Sequence, residues 1–242
     1  MPTADSRNRT RVSENKVLTD VVLVYPYFNE ERDRSIFRYP PLGLGYLAST
    51  LREAGISVRL FDCTFSSYGD ALSAVRRQKP KIVGFYSMVT INHHAIEFAK
   101  DLREDTELLV AGGPLPTLVP DSFLDVFDVV VLHEGEQTFL ELVAKYLKGE
   151  EWRETYGISF AEKGVLKKNP AREVKKNLDE IPFPARDMFP NRAYQRYWRN
   201  YHGYTATSEI TTRGCPYACD FCSNPVFGRS YRERFAAIFV AG

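Results

Sequence analysis

Three cysteines stand close together in the segment Thr211-Thr-Arg-Gly-Cys215-Pro-Tyr-Ala-Cys219-Asp-Phe-Cys222. Three thiolates within eight residues, on a loop that follows a strand, can converge on one metal centre. A cubane cluster holds four irons, so Cys215, Cys219 and Cys222 as ligands leave one iron without a protein donor. An open coordination position is where a cofactor or substrate binds and reacts, the logic that separates catalytic from structural zinc sites. Gly214 allows a tight turn beside the cluster, and Phe221 can wall it from water. Structural zinc is the competing reading. It needs a fourth ligand, for which Cys63, His202 or a distant residue is available, and the spacing lacks the paired Cys-x-x-Cys arrangement of zinc ribbons. Four cysteines, three of them clustered, do not form a disulfide framework, and thiols kept available as ligands point to a reducing cytoplasm.

The elements that must position this loop follow from periodicity. Val21–Tyr25 is a short apolar run ended by Pro26, as expected of a strand buried on both faces. Leu44, Leu47, Ala48 and Leu51 recur at helical spacing before Gly55. Strands are predicted over 56–61, 81–85, 108–111 and 129–132. Helices are predicted around Ala71–Val75, Ile96–Leu102 and Phe139–Leu147. Five strand–helix pairs with short connections imply an α/β domain over 20–150, a doubly wound, five-stranded parallel sheet of flavodoxin-like type. Ile158–Leu166 reads as a hairpin turning at Lys163-Gly164. Residues 169–204 show little periodicity but many aromatics, which suits a linker wrapping against a neighbour, and a further strand is expected from Thr205 to Thr211. Residues 1–19 read as a flexible polar tail with no secretory core.

The net charge of +1 argues against a mainly electrostatic nucleic-acid binder. The basic residues between Lys163 and Lys176 alternate with acids and read as a solvated face. No apolar run approaches the ~18–20 residues needed to span a bilayer.

The run Arg213-Gly-Cys-Pro-Tyr-Ala-Cys-Asp-Phe-Cys222 resembles the signature of the radical S-adenosylmethionine superfamily. The resemblance implies that the three cysteines hold a 4Fe–4S cluster, that S-adenosylmethionine chelates the fourth iron, and that Phe221 lies near the adenine. It also implies reductive cleavage to a 5′-deoxyadenosyl radical, and an electron donor of ferredoxin or flavodoxin type. Upstream, Pro40-Pro-Leu-Gly-Leu-Gly-Tyr-Leu47, Gly112-Gly-Pro114, Glu134-Gly-Glu136 and the connector Leu178–Asp187 resemble the cobalamin-binding domain that precedes many such radical domains. Cobalamin contacts are then expected from Tyr25, Pro41, Leu42, Gly43, Ser87, Met88, Gly112, Gly113, Pro114, Glu134 and Gly135. Ligands of open parallel sheets sit beyond the carboxyl ends of the strands, where these loops lie. The Gly-Gly-Pro turn also suits a plain strand terminator, and Pro40–Leu47 a plain helix start.

One departure stands out. Many cobalamin domains carry Asp-x-His-x-x-Gly after the first strand, and here that loop reads Tyr25-Pro-Tyr-Phe-Asn-Glu. Cobalamin is therefore expected without a histidine from that motif. His93 and His94 read as helix-start residues and His133 as a polar loop residue. A barrel of this family continues well past the cysteines, so 205–242 is expected to hold only its beginning and 242 residues alone no full turnover. The apolar run 235–240 is expected to favour aggregation. Radical methyl transfer to an unactivated carbon is the commonest activity for this pairing, with other radical outcomes equally compatible. A non-catalytic cobalamin or nucleotide module and a zinc protein are the readings from other classes. The substrate, small molecule or peptide, and any further catalytic residue are not encoded.

Overall fold

The computed structural model describes residues 19–28, 36–222 and 226–235. Five parallel strands form its centre: β1 (Val21–Tyr25), β2 (Val58–Asp62), β3 (Ile82–Tyr86), β4 (Leu108–Gly112) and β5 (Val129–Val131). Helices α1 (Leu42–Glu53), α2 (Tyr68–Gln78), α3 (Asn92–Asp101), α4 (Pro114–Leu118) and α5 (Glu136–Lys148) follow the strands in turn. The spatial order β2-β1-β3-β4-β5 reverses direction between β1 and β3, the switch point where open α/β sheets receive ligands.

Burial on both faces follows the period of two. Val21 and Leu23 of β1 pack with Leu44, Leu51, Phe139 and Leu142 of α1 and α5. Val22 and Val24 pack with Val75, Phe98 and Leu102 on the α2 and α3 side. β1, β3, β4 and β5 thus feed two cores, which is why they read as unbroken apolar runs, while the edge strand β2, with Arg59 exposed, alternates.

The hairpin does more than follow the sheet. β6 (Ile158–Glu162) pairs antiparallel with β5, and β7 (Val165–Lys168) with β6, so seven strands form one sheet. Val129 faces Phe160 and Val131 faces Ile158, closing the β5 edge with apolar cross-strand pairs.

Three sequence expectations are corrected. The aperiodic segment 169–204 contains a helix, α6 (Asn191–His202), whose Tyr194 and Trp198 lie four residues apart and are both buried. Aromatics on the other positions, Tyr197 and Tyr201, hid that stripe. Trp198 Nε1 donates to the Arg38 carbonyl at 2.6 Å, and the Tyr194 hydroxyl donates to Asp62 Oδ2 at 2.6 Å. The wrapping expected of the segment is real, but a helix does it. The strand expected over 205–211 does not form. Only β8 (Thr212–Arg213) pairs, with β9 (Arg232–Glu233), because 205–210 has no neighbouring strand to complete a ladder. Finally, Thr19 is not tail: it is buried, with its hydroxyl donating to Gln78 Oε1 at 3.3 Å. The rest of the tail and residues 236–240 lie outside the described residues.

The connector lies across α1. Leu178, Ile181 and Phe189 pack with Leu42 and Tyr46, and the Ala185 amide donates to the Gly45 carbonyl at 3.0 Å. A Cβ on Gly45 would meet Phe189 at 2.8 Å and Pro184 at 2.9 Å. Gly45→Ala should therefore lower stability by about 1–3 kcal/mol through overpacking. Gly69→Ala in α2, where a Cβ meets nothing within 4 Å, should raise it by about 0.4–1 kcal/mol. Urea denaturation of both variants checks the pair, and equal effects would refute the packing account.

Candidate cofactor cleft and cysteine hairpin

The carboxyl ends of β3, β4 and β5 open into a cleft of about 900 Å³, solvent-open space included. Its floor is apolar, from Leu23, Gly84 and Val110, and its rim carries Gly112, Gly113, Gly135 and Glu134. The β3 and β4 loops meet tightly there. The Ser87 amide donates to the Gly112 carbonyl at 2.8 Å, and a Cβ on Gly113, at φ +107°, would stand 2.7 Å from the Ser87 carbonyl. Only glycine fits that approach. Bare backbone on the rim leaves room for a flat ligand.

Of the residues expected to contact cobalamin, Gly43, Gly112, Gly113, Pro114, Glu134 and Gly135 line this cleft. The other expected contacts stand elsewhere. Leu42 is buried under the connector and Pro41 caps α1. Ser87 is buried behind Gly113, and the Met88 carbonyl accepts from Ile91 at 3.1 Å. Tyr25 stacks on Tyr27 at 5.8 Å and tilts against Tyr86 at 5.6 Å, and burial pushes the Tyr25 and Tyr86 hydroxyls above the ordinary tyrosine range. Tyr86 itself reaches the cleft, as do Tyr46 and Leu47 of α1.

His133 follows β5 with φ +58°, a conformation uncommon for a residue with a side chain. Its amide donates to Thr117 Oγ1 at 3.0 Å, and its Nδ1 lies 3.2 Å from the Val226 carbonyl, so that nitrogen carries the hydrogen. His133 thus bridges the sheet to the segment that returns from the cysteine loop. His93 and His94 begin α3 as expected, and His94 meets Phe28 edge-on at 5.1 Å.

The cysteine loop leaves β8 at Gly214. That residue has φ +79°, and a Cβ there would stand 2.1 Å from the Ser230 carbonyl. The Cys215 amide donates to the Gly228 carbonyl at 3.3 Å, closing the loop against its return. Cys215 is half-buried, and Cys219 and Cys222 are exposed. Phe221 is 93% exposed and does not wall the loop. Among the described residues no three His, Cys, Asp or Glu side chains converge on a metal position. Cys63 is buried at the end of β2, where desolvation pushes its thiol up, and His202 Nε2 sits 2.9 Å from the Ile36 carbonyl. Neither zinc candidate stands with the loop.

Buried charge joins cleft and hairpin. Arg213 Nη1 donates to Glu134 Oε2 at 2.9 Å and Nη2 to Glu136 Oε1 at 2.7 Å. Arg232 Nη2 donates to Glu134 Oε1, and its Nη1 to Glu134 Oε2 at 3.2 Å and to the Lys175 carbonyl at 2.9 Å. The four side chains are only 4–10% exposed. Burial alone would lower the Arg213 pKa, but Glu136 and Glu134 outweigh it and hold the guanidinium above its ordinary value. Glu134, expected at the cofactor, has both carboxylate oxygens engaged by arginine. Arg213 was legible only as a motif residue, since its partners lie 79 and 77 positions away.

Gly214→Ala should break the β8–β9 pairing, at a local cost of about 1–3 kcal/mol for the forced backbone. Amide hydrogen exchange over 212–215 and 232–233 should accelerate while β1–β4 stay protected. Unchanged exchange would refute the strain argument.

Comparison with known proteins agrees with this layout. A family model described as "B12 binding domain" matches residues 34–143. An uncharacterized methyltransferase of Pyrococcus horikoshii is 35% identical over 201 residues, covering 80% of this chain and 42% of that protein. Hopanoid C-3 methylase of Methylococcus capsulatus is 31% identical over 203 residues, covering 81% and 38%. The chain thus spans less than half the length of these curated relatives. Among solved structures, the cobalamin-dependent S-adenosylmethionine radical enzyme OxsB, with aqua-cobalamin and S-adenosylmethionine bound, superimposes with a TM-score of 0.76 at 23% identity. It covers 92% of this chain and 31% of that one. Residues 34–143 thus match the B12-binding domain family, and the chain shares its fold with this cobalamin-dependent S-adenosylmethionine radical enzyme.

Proposed function

We propose that this chain supplies the corrinoid cleft and the cluster ligands of an enzyme that transfers a methyl group to an unactivated carbon by radical chemistry. The observation that carries the reading is the juxtaposition of two sites. Val226 and Phe227, just beyond the cysteines, line the same cleft as Gly112, Gly113 and Gly135. The named activities of relatives above 30% identity, both methyl transfer, favour this outcome over other radical chemistry.

The donor set suits the cofactors. Cys215, Cys219 and Cys222 would hold a 4Fe–4S cluster with one iron left for S-adenosylmethionine. A corrinoid would lie on the glycine rim over the apolar floor, with no histidine from the β1 loop, whose described part is Tyr25–Phe28. When bound, the cluster supplies the electron for S-adenosylmethionine cleavage and the corrinoid carries the methyl group. The chain's own residues do the rest: apolar side chains keep water from the floor, and the arginine–glutamate network holds the hairpin at the mouth. No helix among the described residues is long and apolar enough to cross a membrane. Cysteines acting as cluster ligands would suit a reducing compartment, with a ferredoxin- or flavodoxin-type donor supplying the electron.

Anaerobic reconstitution of the chain should give iron and sulfide in cluster proportion. Replacing Cys215, Cys219 and Cys222 together by alanine should reduce iron to background, and Cys63→Ala should leave it unchanged. Iron retained by the triple variant, or zinc in its place, would refute the ligand assignment. Hydroxocobalamin should be retained through gel filtration, and its cobalt(II) form should show no axial nitrogen from protein in electron paramagnetic resonance. Loss of all corrinoid would refute the cleft assignment, and a protein nitrogen on cobalt would refute its axial half.

A further inference from the structure

We infer that the Glu134–Arg213–Arg232 clamp couples the two sites, so that a corrinoid entering the cleft tightens the hairpin carrying Cys215. This rests on the cofactor reading above and goes beyond it, since neither cofactor's presence requires that the sites sense one another.

Shared residues argue for coupling. Glu134, Glu136 and Arg213 line the cleft and also form the buried ion pairs. Val226, at the other end of the cysteine loop, lines the cleft and accepts from His133. The loop is therefore gripped at both ends by groups that a cleft ligand would touch, while Cys219 and Cys222 between them stay exposed.

The chemistry of the clamp sharpens the argument. Buried ion pairs contribute little net stability, because desolvation offsets attraction, and their best-attested use is to specify register. Two arginines reaching one carboxylate from two strands of a hairpin fix both strands at once. Arg213 also lies over the Tyr46 ring, 4.9 Å from its centroid, on the helix that forms another wall of the cleft. A ligand packed against Tyr46 and Gly135 restricts Arg213 and Glu134 to the paired geometry. By linkage, whatever steadies that geometry strengthens ligand binding in return. Arg213 and Glu134 are thus positioning residues for the cysteine loop. Arg232 completes the clamp from outside the cleft.

Hydrogen exchange of the whole chain, prepared anaerobically with and without hydroxocobalamin, tests this directly. In the wild type, corrinoid should slow exchange over 211–215 and 228–234 by about tenfold, the usual scale of coupled sites. Arg232→Gln should still bind corrinoid but lose that slowing. Arg213→Lys, which keeps the charge and loses the fork, should lose it as well. Protection of β1–β4 in both variants reports that the sheet is intact, and the second variant decides the matter if the first does not fold. Corrinoid bound with no change over 211–215 overturns the coupling and leaves the cofactor reading standing. Full slowing in either variant overturns the role given to the clamp. Absence of corrinoid binding in the wild type overturns the cofactor reading, and the coupling falls with it.

Discussion

Everything at the functional end of this molecule depends on one buried guanidinium. Arg213 sits two residues before Cys215 and forks between Glu134 and Glu136, which flank Gly135, the N-cap of α5. Removing one partner of such a pair strands a charge in a poorly solvated place, at a cost of about 3–5 kcal/mol. The energy therefore opposes any arrangement in which the hairpin leaves the sheet. It adds little to the stability of the sheet itself, which two apolar cores already hold.

The clamp works because a second restraint brings the chain back to it. After β7 the polypeptide must cross from one edge of the sheet to the mouth of the cleft, and it does so over α1. Gly45 is the point of contact. Lacking a side chain, it lets Pro184 and Phe189 lie against the helix backbone, while its carbonyl accepts from Ala185. Arg186 continues the path, donating to the Ser208 carbonyl at 2.7 Å. Arg234 then donates to the Ile181 carbonyl at 2.8 Å, so β9 is tied to the connector as well as to Glu134. Connector, helix and hairpin form one closed circuit around the cleft.

How much of this could be read in advance follows from the range of the interactions. Most of the parallel strands were legible because burial on both faces imposes local, uninterrupted apolar runs such as Val21–Val24, and the edge strand β2 because it alternates. The cysteine motif was legible because its three cysteines lie within eight residues. The α6 helix was missed because its buried stripe, Tyr194 and Trp198, is written in the same aromatic letters as its exposed Tyr201. Pairing of β6 with β5 was missed because a hairpin shows its own turn but not its neighbour. Rim residues were partly legible, since glycines at Gly112, Gly113 and Gly135 mark close backbone approach. Tyr46 and Arg213 were not assigned to the cleft because their place depends on how distant segments meet.

Glu134 shows why motif residues need geometry before they are given roles. Between a histidine and a glycine at a strand's carboxyl end, an acidic side chain invites a ligand-binding reading. Both of its oxygens instead accept from arginines on β8 and β9. The same segment still borders the cleft through the Gly135 backbone, where a Cβ would press on Leu47 at 3.2 Å. The Glu-Gly-Glu turn therefore divides its labour by atom type. Its glycine keeps the cleft wall low, and its carboxylates hold the cysteine hairpin above that wall. Moving either acid one position would aim it out of the arginine fork, because consecutive side chains at the start of a helix point in different directions. The spacing of the motif is thus set by the need to grip one guanidinium from two sides across a glycine.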